Sequence, residues 1–317
     1  MLLTGTIKHL LAKRFHGKIR FDEPMADHTT FRIGGPADVF VLPETVDDVM
    51  DLLDVLGSEN VGWFVFGGGA NLLVHDGGIR GVVISPAPGL SGIRLVGGEG
   101  ENTKVTAQSG ASLWDLCRLA AENGLSGLMF AAGIPGTIGG AVMMNAGTAE
   151  GDMSGVIMSL EIVSGPGEIR RVRREEMAFS YRSLRLPQGA AGYEGRPGVI
   201  VSATVKLDRK NPEVVKKEME KRLAKRKQSQ PGGFSAGSFF KNPPGAPPAG
   251  ELIDKAGLKG FVVGGAEVSK KHANFIINRK KASAGDVLVL MEIIRKRVHD
   301  AFGITLEPEV KIVGEPG

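Results

Sequence analysis

The sequence predicts an α+β protein of three successive units. Three observations predict it. Strand and helix patterns alternate through the first 208 residues, as two small α/β units. A basic helical pattern over 209–227 then opens a stretch in which short strands and helices mix. Asn211-Pro212, a helix-start pair, marks where that stretch begins. The expected divisions are 1–88, 89–208 and 209–317, which suit the size of a chain of 317 residues.

In the first unit, MLLTGTIKHLLAKRF reads as a short amphipathic helix, without the long apolar core and cleavage site of a secretory signal. HTTFRIGGPADVFVL (28–42) reads as strand, Gly-Gly turn and strand. Thr45 and Asp48 form a capping-box pair, and Val49, Leu52, Leu53 and Leu56 stripe the helix behind it. WFVF (63–66) is a short buried strand broken by GGGAN, and VVI (82–84) is another.

In the second unit, VTAQ (105–108) is a strand. Ser112 caps a helix through Asn123, with Asp115 at the capping-box position and Gly124 as the stop. A glycine-rich belt fills 127–151, and strands return at 156–163 and 199–207. Val199, Val201, Ala203, Val205 and Leu207 fall on one face by strict alternation.

In the third unit, the basic helix ends before Pro231. SAGSFFKNP (235–243), a Pro/Gly-rich loop to 250 and a helix near 250–256 follow. Strand signals stand at 261–263 and 274–277. Ser283 and Asp286 open a long helix carrying Val287, Leu290, Met291, Ile294 and Val298, and TLEPEVKIV (305–313) closes the chain as a strand.

Composition narrows the function classes. No apolar run reaches the ~18 residues of a membrane helix. The one cysteine, Cys117, excludes an internal disulfide, fits a reducing compartment and reads as core packing. A cytoplasmic protein is expected. The net charge of +4 arises largely from 209–227, where Glu213, Glu218 and Glu220 are interleaved and no aromatic is present. That pattern suits a solvated helix face better than a nucleic-acid surface.

Several segments can carry chemistry. GGGANLL (67–73) follows a buried strand; its backbone amides can face phosphate oxygens, or it is a tight turn that needs positive φ. The uncharged belt AAGIPGTIGGAVMMNAG (131–147) can lie flat against a large planar cofactor, or it is a packing loop. The two together favour a dinucleotide held between two units. Arg182 in SYRSL can grip a carboxylate, though a structural ion pair is the plainer reading. Glu307 and Glu309 share one strand face: either a solvated face or a working carboxylate. His272 and Asn274 read as surface polar residues, and the six histidines do not cluster as a metal site would. Ser238, between Gly237 and two phenylalanines, marks a turn entering a strand or an acid in a water-poor place.

In this order, HTTFRIGGPAD (28–38), GGGANLL (67–73), GIPGTIGGAVMMNAG (133–147), SYRS (180–183), SAGSFFKNP (235–243), HANFIIN (272–278) and LEPEV (306–310) resemble the UDP-N-acetylenolpyruvoylglucosamine reductase family, over about residues 15–314. The resemblance implies two domains binding FAD in the vanillyl-alcohol-oxidase/PCMH manner and a third α+β domain for substrate. It places Gly67, Gly68, Gly69, Ala70, Asn71 and Leu72 at the cofactor, with Gly133, Ile134, Pro135, Gly139, Asn145, Ala146 and Gly147. Ala70 stands where the family often has serine, which removes one phosphate hydrogen bond. VKLDRKNPEVV (205–215) passes from strand to helix without the loop that carries a tyrosine in one subtype, so the chain resembles the other subtype.

The family reaction reduces the enolpyruvyl ether of UDP-N-acetylglucosamine-enolpyruvate to UDP-N-acetylmuramate in peptidoglycan synthesis. NADPH reduces FAD, hydride passes from flavin N5 to the substrate, and an enolate must be stabilised. The resemblance puts Arg182 and Glu309 beside the carboxylate and enolate, Glu309 helping if protonated. It makes Ser238 the proton donor, in a pocket to which Gly237, Phe239 and Phe240 contribute. Lys241 polarises the site, Asn242 meets the nucleotide end, Arg226 suits the diphosphate and His272 lines the cleft. The implied partners are the UDP-sugar and NADPH, with no nucleic acid and no membrane insertion; a monomer is the working expectation. The alternative is another FAD-dependent oxidase or dehydrogenase of the same fold, against which SAGSFFKNP and LEPEV argue. A silent flavin-binding module is the rival of another class.

Overall fold

The capping box at Thr45 closes as its sequence requires: the Thr45 side chain accepts the Asp48 amide at 3.0 Å, and Asp48 Oδ2 accepts the Thr45 amide at 2.9 Å. The same exchange between Ser283 and Asp286 opens the long helix near the C-terminus. These details come from a computed structural model that describes residues 5–97, 102–165, 167–190 and 198–317. Contacts gather the chain into two compact units, one of Met1–Arg20, Val39–Gly68 and Gly81–Lys225, the other of Phe21–Asp38, Gly69–Arg80 and Arg226–Gly317.

The first unit carries helices α1 (Gly5–Arg14), α2 (Val46–Ser58), α3 (Leu113–Glu122), α4 (Ile138–Met143) and most of α5 (Pro212–Ser229). Strands Lys18–Pro24, Pro36–Leu42, Ile79–Ile84 and Trp63–Val65 form one sheet in that order, with unit limits falling inside the first three. Val39, Val41, Val82 and Ile84 of this sheet pack with the α2 stripe Val49, Leu52, Leu53 and Leu56 in one core. A larger antiparallel sheet runs Glu168–Arg173, Ile157–Gly165, Val199–Arg209, Asn102–Gln108, Ile93–Gly97. Its inner residues meet Leu113, Leu116, Cys117 and Ala120 of α3 in a second core.

Two expectations change in this unit. Ser112 is the N-cap of α3 but makes no side-chain cap bond, and Asp115 instead pairs with Arg118 at 3.3 Å. The alternation from Val199 to Leu207 is interrupted. Ile162 pairs with Ile200 and Glu161 with Ser202, so Val201 is an extra residue in the ladder. The bulge reverses the faces. Val199 and Val201 therefore enter the α2 core, whereas Ala203, Val205 and Leu207 enter the α3 core. Only Lys210 and Asn211 separate the strand ending at Arg209 from α5, so no inserted loop is present. Along α5 the buried residue is Val215, and Glu213–Lys216 and Glu218–Arg222 pair on its surface.

The second unit holds α6 (Ala249–Lys255) and α7 (Ala284–Phe302). The α7 stripe Val287, Leu290, Met291, Ile294 and Val298 is buried with Phe31, Leu73, Phe239 and Phe240. Val262–Val263, Ala266–Val268 and Ile276–Asn278 form a small antiparallel sheet. Leu72–Val74 runs parallel to Lys311–Val313.

Here too the structure corrects the reading. Residues 28–31 are turn and bend and 32–33 are irregular, not a strand. Asn278 Nδ2 donates to the carbonyls of Phe31 (3.0 Å) and Arg32 (3.2 Å), and Thr29 Oγ1 to that of Ile33 (3.0 Å), so side chains satisfy this backbone. Regular strand at the C-terminus covers only Lys311–Val313; before it, Pro308 makes one isolated bridge to Phe240. Among the described residues no helix is long and apolar enough to cross a membrane.

Candidate active site

In the second unit, three segments are laced together. Phe239 N–H donates to the Asn274 carbonyl at 2.7 Å, Glu309 N–H to the Phe239 carbonyl at 2.8 Å, and Lys241 N–H to the Glu307 carbonyl at 2.9 Å. Ser238 bridges to Phe275. SAGSFFKNP thus lies between HANFIIN and LEPEV, which brings the Ser238 and Glu309 backbones onto neighbouring segments. Both residues are half-buried, and the Ser238 hydroxyl makes no hydrogen bond among the described residues. Gly237 precedes it at φ 79, a conformation that favours glycine. Phe239 and Phe240 do not line a pocket as expected. Each is 1% exposed, and their rings meet edge to face at 5.3 Å inside the core.

The flanking residues divide. Lys241 Nζ pairs with Glu307 at 3.2 Å on the exposed side. Asn242 Oδ1 accepts the Ala249 amide at 3.0 Å at the start of α6. His272 accepts the Asn274 amide through Nδ1 at 3.3 Å and lies edge to face with Phe275 at 4.9 Å. Burial pushes its imidazole pKa below the ordinary value, and Lys259 acts in the same direction. Arg226 Nε donates to Gln230 at 3.1 Å. Asn274 is not a surface residue: it is 4% exposed and bonded to Phe240. The polar asparagines of HANFIIN, set among apolar strand residues, are the signal that could have found this clasp and that of Asn278.

The glycine loop begins in the first unit. A Cβ on Gly68 would stand 2.8 Å from the Gly136 Cα, and one on Gly67 2.9 Å from the Thr137 hydroxyl. The two glycine-rich segments therefore touch directly. In the second unit, Thr30 N–H donates to the Gly69 carbonyl at 3.1 Å. Asn71 Nδ2 donates to the Glu309 carbonyl at 3.1 Å, and Leu72 begins the strand beside Lys311.

The belt is not flat. Gly133 turns at φ 79, Ile134 N–H donates to the Ala131 carbonyl at 2.9 Å, and after Pro135 and Thr137 the chain enters α4. Gly139 N–H donates to the Ser109 carbonyl at 2.8 Å. Asn145 is 3% exposed and donates to both Asp152 and Ser180. Ala146 accepts the Met153 amide at 3.0 Å. Gly147 accepts from Arg182 Nη2 at 3.0 Å. Arg182 sits at the tip of a hairpin, in the two-residue turn between the paired Ser180 and Ser183, rather than within a strand.

A cofactor with phosphates and a flat ring fits this surface. Gly139 and Gly140 are partly exposed on α4 and bring no side chains. Beside them Ser109, 2% exposed, keeps a buried hydroxyl with no partner among the described residues. Such a group costs free energy until something bonds it.

Comparison with known proteins gives the class first. Residues 37–173 match the family described as FAD binding domain, which with the sheet-and-helix content above places the chain among α+β proteins that carry an FAD-binding domain. Residues 229–313 match the family described as UDP-N-acetylenolpyruvoylglucosamine reductase, C-terminal domain. A protein of that name from Desulfosudis oleivorans is 48% identical over 302 residues, 95% of this chain and 96% of the relative. One from Bacillus subtilis is 45% identical over 96% of this chain and 97% of the relative. The crystal structure of the Thermus caldophilus UDP-N-acetylenolpyruvylglucosamine reductase superposes with a TM-score of 0.74 at 34% identity, covering 94% of this chain and 98% of that one. The chain belongs to the UDP-N-acetylenolpyruvoylglucosamine reductase family.

Proposed function

We propose that this chain reduces the enolpyruvyl ether of UDP-N-acetylglucosamine-enolpyruvate to UDP-N-acetylmuramate, a step of peptidoglycan precursor synthesis in the cytoplasm. FAD is tightly bound, NADPH is the co-substrate and the enzyme is a monomer. Three functional segments, 1–88, 89–208 and 209–317, divide the work: two for the flavin and one for the substrate. The observation that carries the reading is the lacing of Ser238 to Glu309 through the Glu309 N–H bond to Phe239, which sets a hydroxyl and a carboxyl on adjoining segments.

When bound, FAD supplies the hydride. Gly67 to Leu72, Gly133 to Pro135, Gly139 and Asn145 to Gly147 would hold it, the glycines through backbone. Arg182 presents a fixed cation to the substrate carboxylate and to the charge that develops on it. Ser238 delivers the proton to the neighbouring carbon. Its hydroxyl makes no hydrogen bond among the described residues, which leaves it available to a substrate. If protonated, Glu309 donates a hydrogen bond to the same developing charge. Arg226, Asn242 and His272 bind the sugar nucleotide.

The test is an anaerobic absorbance titration of the purified holoprotein. A flavin spectrum that bleaches with NADPH and recovers on adding the enolpyruvyl sugar nucleotide is expected. Bleaching without recovery would indicate another flavin-dependent dehydrogenase.

A further inference from the structure

Two non-glycine residues near the belt hold left-handed backbone: Asn145 at φ 41 and Arg182 at φ 56. Backbone of this kind persists where its surroundings over-determine it, and it gathers at functional sites. Here the surroundings are a closed polar network. Asn145 Nδ2 donates to the Ser180 carbonyl and to Asp152 Oδ2, each at 3.1 Å. Asn145 Oδ1 accepts the Ser154 amide at 3.0 Å. Asp152 Oδ1 accepts the amide and the hydroxyl of Ser154, at 3.1 and 2.5 Å. Gly147 pairs with Asp152 across a short hairpin.

The arginine is consequently tied at both ends to one three-residue segment. At its root, Ser180 accepts from Asn145 immediately before the Tyr181–Arg182 turn. At its tip, the guanidinium donates to Gly147 at 3.0 Å. We propose that Asn145, oriented by Asp152, is a positioning residue that sets where the Arg182 guanidinium stands for the substrate carboxylate. The proposal rests on the reading of Arg182 given above. The Asp152 carboxylate accepts only, so it fixes which edge of the Asn145 amide faces it and leaves the second N–H for Ser180. An asparagine at 152 removes that rule: its NH2 would face another NH2 unless one amide turned, and a turned Asn145 would set its oxygen against the Ser180 carbonyl.

The test is a double-mutant cycle on the holoenzyme with Asp152→Asn, Arg182→Ala and both together. In Asp152→Asn the flavin should be reduced by NADPH at the wild-type rate. Its reoxidation by the enolpyruvyl substrate should slow at least about tenfold, since small misplacements of a charged group carry such losses. On the Arg182→Ala background the same change should slow it no further. Calorimetric affinity of the oxidised holoenzyme for the substrate should follow the same pattern. Equal slowing on both backgrounds, or loss of both half-reactions together, overturns the proposal and leaves Asn145 and Asp152 as ordinary supports of the fold. If Arg182→Ala itself leaves reoxidation untouched, the role of Arg182 fails, and the positioning proposal with it. Should Asp152→Asn not retain cofactor, Ser154→Ala, which removes one donor to Asp152, enters the same cycle. No slowing there, or slowing independent of Arg182, also overturns it.

Discussion

Asn274 pairs with Phe240 as a neighbouring strand would. Its Oδ1 accepts the Phe240 N–H at 2.9 Å, and its Nδ2 donates to the Phe240 carbonyl at 2.8 Å. One side chain thereby fixes the backbone two residues beyond Ser238. Asn274→Ala leaves two buried backbone groups without partners. The expected loss is about 2–6 kcal/mol, at ~1–3 kcal/mol for each unsatisfied group. Urea unfolding checks this: the midpoint drops while the slope stays constant.

Ser238→Ala separates chemistry from folding. The hydroxyl has no hydrogen-bond partner among the described residues, so stability should change by no more than ~0.5 kcal/mol. Flavin reduction by NADPH should proceed as in the wild type. Reoxidation by the enolpyruvyl substrate should slow by at least ~10²-fold, the low end for a lost general acid. Stopped-flow traces of each half-reaction decide it; an unchanged second phase removes Ser238 from the mechanism.

The glycines of the two loops should respond in opposite ways. A methyl on Gly68 meets the Gly136 Cα at 2.8 Å, so Gly68→Ala should destabilise the apoprotein itself. On Gly140 the nearest atoms are the Thr137 hydroxyl at 3.6 Å and the Gly67 Cα at 4.0 Å, ordinary van der Waals contacts. Gly140→Ala should leave the apoprotein as stable or up to ~1 kcal/mol more so. If the cofactor lies on this face, the same change lowers flavin occupancy. Thermal melts of apo and holo forms, with the flavin-to-protein ratio, separate the two effects.

Burial pushes the Cys117 thiol pKa from 9.0 up to about 12. The sign follows from proton counting. Between pH 9 and about 12 the unfolded chain has lost this proton and the folded chain keeps it, so stability falls as pH rises, by up to ~1.4 kcal/mol per unit. Below pH 9 the group contributes no slope. Cys117→Ala should flatten the alkaline limb, as equilibrium unfolding at several pH values would reveal. A thiol reagent should label the native protein slowly and the unfolded protein fast.

Much of this was legible in the residues. The stripes of α2 and α7 and their capping boxes are local: they depend on spacing within a few residues, and both formed as read. The seven ordered motifs gave the family without any coordinate. The failures have a common origin. Residues 28–33 alternate like a strand, yet Asn278, more than 240 residues away, takes their carbonyls. The run from Val199 to Leu207 alternates without fault, yet the partner strand admits an extra residue and sends the two halves into different cores. The phenylalanines after Ser238 look like pocket walls, but they fill the interior of their unit.

The sequence by itself determined the stripes and capping boxes of α2 and α7, the glycine loops and the family, because caps, periodicity and motif order are written in near neighbours, whereas α4, inside the glycine-rich belt, carries no such mark. Only the tertiary structure decided that Asn71 holds the Glu309 carbonyl, that Asn274 substitutes for a strand beside Phe240, and that Arg182 is tied at root and tip to residues 145–147. Those are hydrogen bonds between residues tens to hundreds of positions apart, and a side-chain amide carries no mark of which distant backbone group it will satisfy until the chain has folded.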